Sequence, residues 1–513
     1  MGLSLSRMKK NSLIQSLVRV LFLVSMVLIV FSSCRKDRML ITGSEALLSF
    51  SVDTLRFDTV FTELGSATQI LKVYNPHDLS IQIDKIFIES GSNSKFRINI
   101  DGVPGNTAED LIIEPNDSLY IFAEVTVNPD EPVSLSPFVL EDGLRFETSG
   151  NEQRVQLEAW GQNAIYLPNR FNKGGVALLS CDLQEEVWTD SLPYVIYGIL
   201  VIDSCTLVLE PGTRIYMHGG VARTVDEMNN VQIYNDGLIY SFAKGNIHIE
   251  GTYEEPVIIQ GDRLEESFQQ ESGQWVGMRL GGTDNVFQFA EVRNSLIGVL
   301  VDSAASLEID QSKIYNTSGA GLIGIHSQIN ANNCLFYNNG GNSVQLGYGG
   351  VYDFNYCSVA SFGVDAAALS LSNGICYDAF CQEFDIYPLE ASFRNSIIYG
   401  SRKDEVSLSD FTGGMEPDFY QISFSDCIVR VEDLLDPDKG GYPNFFEDFC
   451  TPCLNAGQTA VVFADPNEDD YHLDTLSIAE ELAIPIPGLD LDLDFQLRDS
   501  EKPDVGCYEY QYQ

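Results

Sequence analysis

Between about Ala290 and Val431 the chain repeats itself every 22 residues, and that period constrains its fold more than any other feature. Glu291-Val292-Arg293-Asn294, Lys313-Ile314-Tyr315-Asn316 and Leu335-Phe336-Tyr337-Asn338 align at this offset. Three columns emerge: Ala290, Ser312 and Cys334; Val292, Ile314 and Phe336; Asn294, Asn316 and Asn338. Leu300, Leu322 and Val344 keep the spacing, as do Leu307, Ile329 and Val351. With one inserted residue the first two columns continue at Cys357 and Val359, and after longer insertions at Ser396 and Ile398, then at Cys427 and Val429. Self-similarity at a fixed period of this size marks stacked units that bury a continuous core between neighbours.

Members of each triplet are two residues apart, so they share one face of a strand, while Arg293, Tyr315 and Tyr337 point the other way. Val, Ile, Phe and Tyr dominate, and Asn and Gly mark corners, so the repeat is β rather than helical. The asparagine column is expected to hydrogen-bond from rung to rung. Cys334 and Cys357 are expected to stack as small apolar side chains. A 22-residue rung of three short strands resembles the right-handed parallel β-helix, the pectate-lyase-like fold. The Leu-x-x-Leu-x-Leu signature of leucine-rich repeats is absent. Upstream, Gly198-Ile199-Leu200-Val201, Leu207 to Thr213, Gly251-Thr252, Pro256 to Ile259 and Gln274 to Gly277 resemble the opening rungs of bacterial β-helix surface proteins. Asp465-Pro466, Asp470 to Leu473, Asp494, Arg498 and Asp504 to Glu509 resemble the closing segment of exported β-helix proteins, which implies that this tail ends the coil.

Ahead of the repeats, residues 46–162 alternate short apolar runs with turn residues. Candidate strands are Ile70–Tyr74, Ile81–Ile88, Phe96–Ile100, Leu119–Val127, Leu144–Thr148 and Val155–Ala159, separated by Asn75-Pro76, Asp101-Gly102 and Asn128-Pro129. This spacing predicts a β-sandwich. Leu71 to Asn75, Pro115 to Leu119 and Ala159-Trp160-Gly161 resemble Ig-like modules, which implies a spacer or binding surface without catalysis.

The first 33 residues read as an export signal. Arg7, Lys9, Lys10 and Arg19 precede an apolar run, Val20 to Phe31, broken only by Ser25. That run is short of the roughly 20 apolar residues a spanning helix needs, and Ser32-Ser33 supply the small residues of a cleavage site. Phe31-Ser32-Ser33-Cys34 resembles a bacterial lipobox, with Phe in place of the usual Leu. The resemblance implies lipidation of Cys34 and cleavage before it; two or more acyl chains give a stable membrane anchor. Arg35-Lys36-Asp37 resembles the export tag of surface lipoproteins in the Bacteroidota. The outer membrane is the expected location, with its periplasmic and surface faces both open.

The expected layout is therefore all-β: signal 1–33, lipidated linker 34–45, Ig-like sandwich 46–162, right-handed parallel β-helix 163–455 and closing segment 456–513.

Seventy-four acidic residues face 30 basic ones, a net charge of −44. The imbalance grows once the signal, with four basic and no acidic residues, is removed. It excludes nucleic acid as a partner, since that needs basic patches, and favours solubility and self-repulsion. Apart from Cys34 there are ten cysteines, whose pairing the sequence leaves open; Cys450-Thr451-Pro452-Cys453 has no second pair at zinc spacing.

Each chemistry hosted by this fold can be checked. Gly324-Ile325-His326 is the nearest approach to the Gly-His-Gly of pectin-type glycosidases, and it lacks partner aspartates. Arg263, Arg279, Arg293 and Lys313 are candidate lyase bases, but no acidic metal cluster flanks them at rung spacing. Metalloprotease, P-loop, Gly-x-Ser-x-Gly and dinucleotide signatures are absent. Asp490, Asp492 and Asp494 alternate with Leu and are a candidate calcium site, without the Gly and distal Glu of an EF-hand. Arg293, Tyr315 and Tyr337 form a candidate sugar-binding stripe on an outward face; the competing reading is that aromatic stacking only stabilises the sheet. The sequence favours a non-catalytic envelope lipoprotein without cofactor, displaying a binding or adhesion surface with polysaccharide or envelope proteins as candidate partners. A polysaccharide lyase or hydrolase and a purely structural component are the alternatives.

Overall fold

The computed structural model describes residues 39–61, 68–126, 139–162, 164–168, 175–225, 231–264, 268–378 and 380–511. Cys34, the signal segment, Arg35-Lys36-Asp37, Val127 and Asn128-Pro129 lie outside the described residues. Among the described residues no helix is long and apolar enough to cross a membrane. The chain divides into two compact units, one ending at Gly161 and the other running on from Gln162.

The first unit is two sheets around one core. The larger sheet joins Ser80–Ile88, Val139–Thr148, Asn151–Gln162 and Thr54–Phe61, with Thr107–Ile113 and Leu40–Ile41 paired onto Ser80–Ile88. The smaller one orders Ser49–Phe50, Gln69–Tyr74, Ser118–Val125, Phe96–Ile100 and Val103–Pro104. Alternate residues of both sheets, among them Leu71, Val73, Ile83, Ile121, Phe146 and Leu157, meet in the same buried cluster. Period-two burial is what the sequence pattern demands. Thr107–Ile113 escapes sequence reading because its Ala-Glu-Asp stretch carries no apolar alternation.

The second unit is a coil of parallel strands. A first stack of eleven runs from Ile165–Leu167 to Cys453–Asn455, each strand hydrogen-bonded in parallel to the next. Two further parallel stacks complete each turn. One begins at Val176–Leu179 and ends at Val406–Ser409; the other begins at Glu185–Trp188 and ends at Tyr420–Ser425. The long strands Leu322–Asn332 and Val344–Asn355 run through both of these stacks.

The column of Val292, Ile314 and Phe336 is a registered row of the first stack, whereas Leu300 pairs with Ile323 and Ile329 with Tyr352, so the Leu300–Leu322–Val344 and Leu307–Ile329–Val351 columns of the other two stacks each slip by one residue at one step. Val292 pairs with Ile314, Ile314 with Phe336, and Phe336 with Val359; Ile398 and Val429 follow. All of these are buried inside the coil. Each such side chain contributes about 1.5–3 kcal/mol on burial. Phe354, Phe393 and Phe424 form an interior aromatic ladder with centroid spacings of 5.1 and 5.0 Å. Beyond it, Phe445 of the short helix Phe445–Asp448 packs on Phe424 at 5.7 Å.

Two further structural expectations need correction. Asn294, Asn316 and Asn338 do not bond to one another. They sit at corners with φ of 63°, 58° and 55°, a left-handed conformation that asparagine tolerates, and their amides reach Gln269 and Glu271, Gln270, and Asp469 respectively. The rung-to-rung ladder lies instead at Asp310, Asn332 and Asn355, where each amide donates to the preceding rung at 2.6 and 2.9 Å. The tail does not end the coil. Ala456 to Tyr508 folds back over the outer face of the first stack, because Tyr315, Leu335, Tyr337, Tyr356, Ile397 and Tyr399 make that face apolar and it must be covered.

Cys181 pairs with Cys205, and Cys376 with Cys381. Cys334, Cys357, Cys427 and Cys507 are free and buried.

Candidate functional site

Arg293, Tyr315 and Tyr337 do share one outward face in register, and the two tyrosine rings stack 4.7 Å apart. They are not a solvent-facing platform. Tyr315 and Tyr337 are each 7% exposed, and Tyr471 of the tail lies 4.7 Å from Tyr337. Arg293 is committed to Gln260 Oε1 at 2.6 Å and to the Tyr315 hydroxyl at 2.7 Å. Burial pushes both phenols upward in pKa. The stripe is the floor on which the tail packs, so it offers no sugar surface.

Asp490, Asp492 and Asp494 do not converge either. Asp492 is buried and takes backbone N–H groups from Asp494, Gln496 and Glu509. Asp494 bonds His472 at 2.8 Å, while Asp490 is exposed and offers its backbone carbonyl to Arg498. Among the described residues no group of three His, Cys, Asp or Glu side chains is arranged to hold a metal ion. Alternation with Leu failed as a guide because this stretch is a turn closed by Asp492, not a strand.

His472 is clasped between Asp494 and Asp470, the latter at 2.6 Å, and the Asp494 hydrogen bond leads in raising its pKa to about 8. A histidine with a raised folded pKa stabilises fully below its unfolded value near 6.5 and loses that contribution as pH rises through about 8. The melting temperature is therefore expected to fall between pH 6.5 and 8, by a modest amount because the ring is half exposed. His472→Gln should flatten that slope. An unchanged slope in thermal melts would show that the clasp contributes nothing.

A cleft that gathers titratable side chains lies elsewhere on the coil. Two successive rungs carry insertions at the same corner: the hairpin Gly220–Val225/Val231–Asp236 after His218, and the described residues 262–264 and 268–276 after Gly261. Between them is a cleft of about 520 Å³ lined by His218, Asp236, Asp262, Arg263, Phe268, Glu271, Gln274 and Trp275. Parallel pairing sets Tyr197 opposite His218 and Met217 opposite Gly261, which brings Asp262 beside His218. His218 Nδ1 lies 2.6 Å from Asp262 Oδ2, and the Asp262 side chain is only 9% exposed. Tyr197 supports the imidazole edge-on at 5.1 Å. Asp236, also buried, accepts the Gly237 N–H at 3.1 Å. The Arg263 guanidinium lies 4.0 Å from the Phe268 ring centroid, a cation–π contact. Trp275 is held by its indole N–H on the Arg293 carbonyl at 2.9 Å. Among the described residues Gln274 Oε1, buried in the wall, has no hydrogen-bond partner.

The arrangement offers donors, acceptors and one exposed ring, Phe268, in one concavity, while Trp275 is buried behind it as part of the core; the polar groups suit a polyhydroxylated ligand. A carboxylate-oriented imidazole with a second carboxylate nearby is also a general acid–base constellation. Sequence reading missed this cleft. His218 and Asp262 are 44 residues apart on neighbouring rungs, because the hairpin and the longer loop before Val257 together stretch this turn of the coil.

No protein-family model matches the chain, and no curated protein matches it. Among solved structures it is similar to a family 123 glycoside hydrolase from Clostridium perfringens, at 7% identity and a TM-score of 0.16, over 38% of this chain and 44% of that one. The chain thus spans less than half the length of that enzyme. It is also similar to the catalytic domain of a GH87 alpha-1,3-glucanase solved with tetrasaccharides, at 8% identity and a TM-score of 0.23, over 70% of this chain and 80% of that one. Scores this low say nothing of this chain's activity.

Proposed function

We propose that the chain is an exported envelope lipoprotein, anchored through lipid on Cys34, in which an Ig-like spacer carries a right-handed parallel β-helix of the pectate-lyase-like type that holds a glycan. One observation supports the binding role: the corner cleft gathers the His218–Asp262 pair, Asp236, Arg263, Gln274 and the exposed ring of Phe268 around a space sized for one or two sugar rings. Asp262→Asn keeps the side-chain volume and removes the charge that faces His218. It is expected to weaken retention on a polysaccharide matrix roughly tenfold, about 1.4 kcal/mol. Equal retention of the two proteins would remove the cleft from the account.

A second reading is hydrolysis, favoured by the presence of Asp236 and Asp262 in the same cleft. It predicts new reducing ends from the retained polysaccharide, lost in both Asp236→Asn and Asp262→Asn. The binding reading predicts polysaccharide of unchanged length.

The anchor has its own test. Cys34→Ala should shift the protein from the membrane fraction to the soluble fraction, and a variant that stays with the membrane would contradict the lipoprotein reading.

A further inference from the structure

A separate surface of the coil collects exposed rings around a carboxylate. Three consecutive rungs place His326, Tyr348 and Tyr387 at the corner between the second and third stacks, with Tyr348 one period after His326. The long strands slip register there, pairing Ile325 with Gly347 but Ser327 with Gly350. His326 and Tyr348 adopt φ of 47° and 63°, left-handed values that are strained for bulky residues. Gly349 follows at φ 76°, where a Cβ would lie 2.6 Å from the Pro388 carbonyl, so only glycine fits. The rings then pack closely. His326 and Tyr387 are 4.5 Å apart, and Tyr387 meets Tyr348 edge-on at 4.6 Å.

The third of these rungs carries a hairpin just before Tyr387, Gly374–Cys376 with Phe384–Ile386, stapled by the Cys376–Cys381 disulfide. Its turn is closed by Asp378, which accepts backbone N–H groups from Phe380, Gln382 and Glu383. From this hairpin Asp385 Oδ2 accepts the Tyr377 hydroxyl at 2.9 Å and the Tyr348 hydroxyl at 3.3 Å, which leaves Oδ1 for another donor. Tyr377 is 59% exposed, Phe384 44% and Tyr387 37%. Unlike the stripe at Tyr315 and Tyr337, this cluster stays open to solvent. Exposed rings gathered in one patch mark a contact site, and the disulfide fixes the hairpin in advance, which lowers the ordering cost of binding.

We propose that this platform binds the ring face of a neutral pyranose within a glycan chain. A pyranose presents C–H groups on one face and hydroxyls around its rim. The C–H face packs on Tyr377 and Tyr387, and the rim hydroxyls meet Asp385 and the phenols. Asp385, Asp378 and Glu383 repel an anionic sugar, so the charge on the platform selects against uronates. The site goes beyond the corner cleft and uses none of its residues, so either can fail without the other.

The test is affinity electrophoresis of the full chain in gels containing soluble neutral glucan, mannan or galactan, with polygalacturonate as the anionic control. Retardation is expected in at least one neutral gel and not in polygalacturonate. Tyr377→Ala with Tyr387→Ala should weaken it roughly tenfold or more, with an unchanged melting temperature as the check on folding. Tyr377→Phe, which keeps the ring and loses the bond to Asp385, should fall between. Asp262→Asn in the cleft must leave the effect of the double substitution in place. The proposal is overturned by wild-type protein that no neutral gel retards, by retention in polygalacturonate alone, or by retention that the double variant preserves. It is equally overturned by a concentration-dependent dimer in sedimentation that the double variant abolishes, which would make the platform a protein interface.

Discussion

Arg498→Ala is expected to cost about 3–5 kcal/mol and to free the tail from the coil. The Arg498 side chain is 2% exposed and ties three elements together. Its Nη2 donates to Asn333 Oδ1 at 2.9 Å and to the Gly506 carbonyl at 3.0 Å, while Nη1 faces the Asp504 carbonyl and Glu509 Oε2, both at 3.4 Å. The guanidinium also lies 4.0 Å from the Tyr356 ring centroid. Alanine removes all of these and leaves Glu509 and Asp492 buried without a counter-charge. Lysine should rescue little, since a single ammonium cannot serve Asn333, the two carbonyls and Glu509 at once. Limited proteolysis should cut the variant within residues 456–510, and Tyr315 and Tyr337 should become open to iodination. A variant as protected as wild type would mean that the tail is held by its apolar contacts alone.

The second large effect is inside the coil. Phe393→Ala should destabilise by about 3–5 kcal/mol, because Phe393 is fully buried between Phe354 and Phe424 and the rigid rungs cannot close over the cavity. In a stacked repeat the damage stays near its neighbours. Denaturant unfolding followed by tyrosine fluorescence should therefore show the last rungs, beyond Asn355, melting first. A cost under about 1 kcal/mol would mean that the ladder packs far more loosely than its 5 Å spacings indicate.

The coil was legible in the sequence because its central rungs keep one 22-residue offset. Val292, Ile314 and Phe336 must fill equivalent interior positions, so the 22-residue offset survives in the side chains themselves. What surrounds the coil was far less legible. The outward row of Tyr315 and Tyr337 reads the same whether solvent or another segment covers it, since stacking leaves the covering partner unmarked. The asparagines at 294, 316 and 338 signalled a corner correctly but not their partners, because a left-handed turn fixes the backbone and leaves the amide free to reach any nearby loop. Both polar surfaces sit where insertions break the period. His218 and Asp262 are separated by a hairpin, and Tyr377 and Asp385 stand on a disulfide-stapled excursion. Those insertions have no counterpart in the repeat, and they carry the side chains of both candidate sites.

Hydrogen–deuterium exchange of the full chain, with and without a saturating retained polysaccharide, tests most directly whether the coil holds glycan at these insertions. Slower exchange is expected in the corner insertions around His218 and Asp262 and in the hairpin around Tyr377 and Asp385. No change is expected across Gln69–Tyr74 and Ser118–Val125 of the first unit. Protection confined to the first unit, or to the tail over Tyr315 and Tyr337, would contradict glycan binding at the insertions.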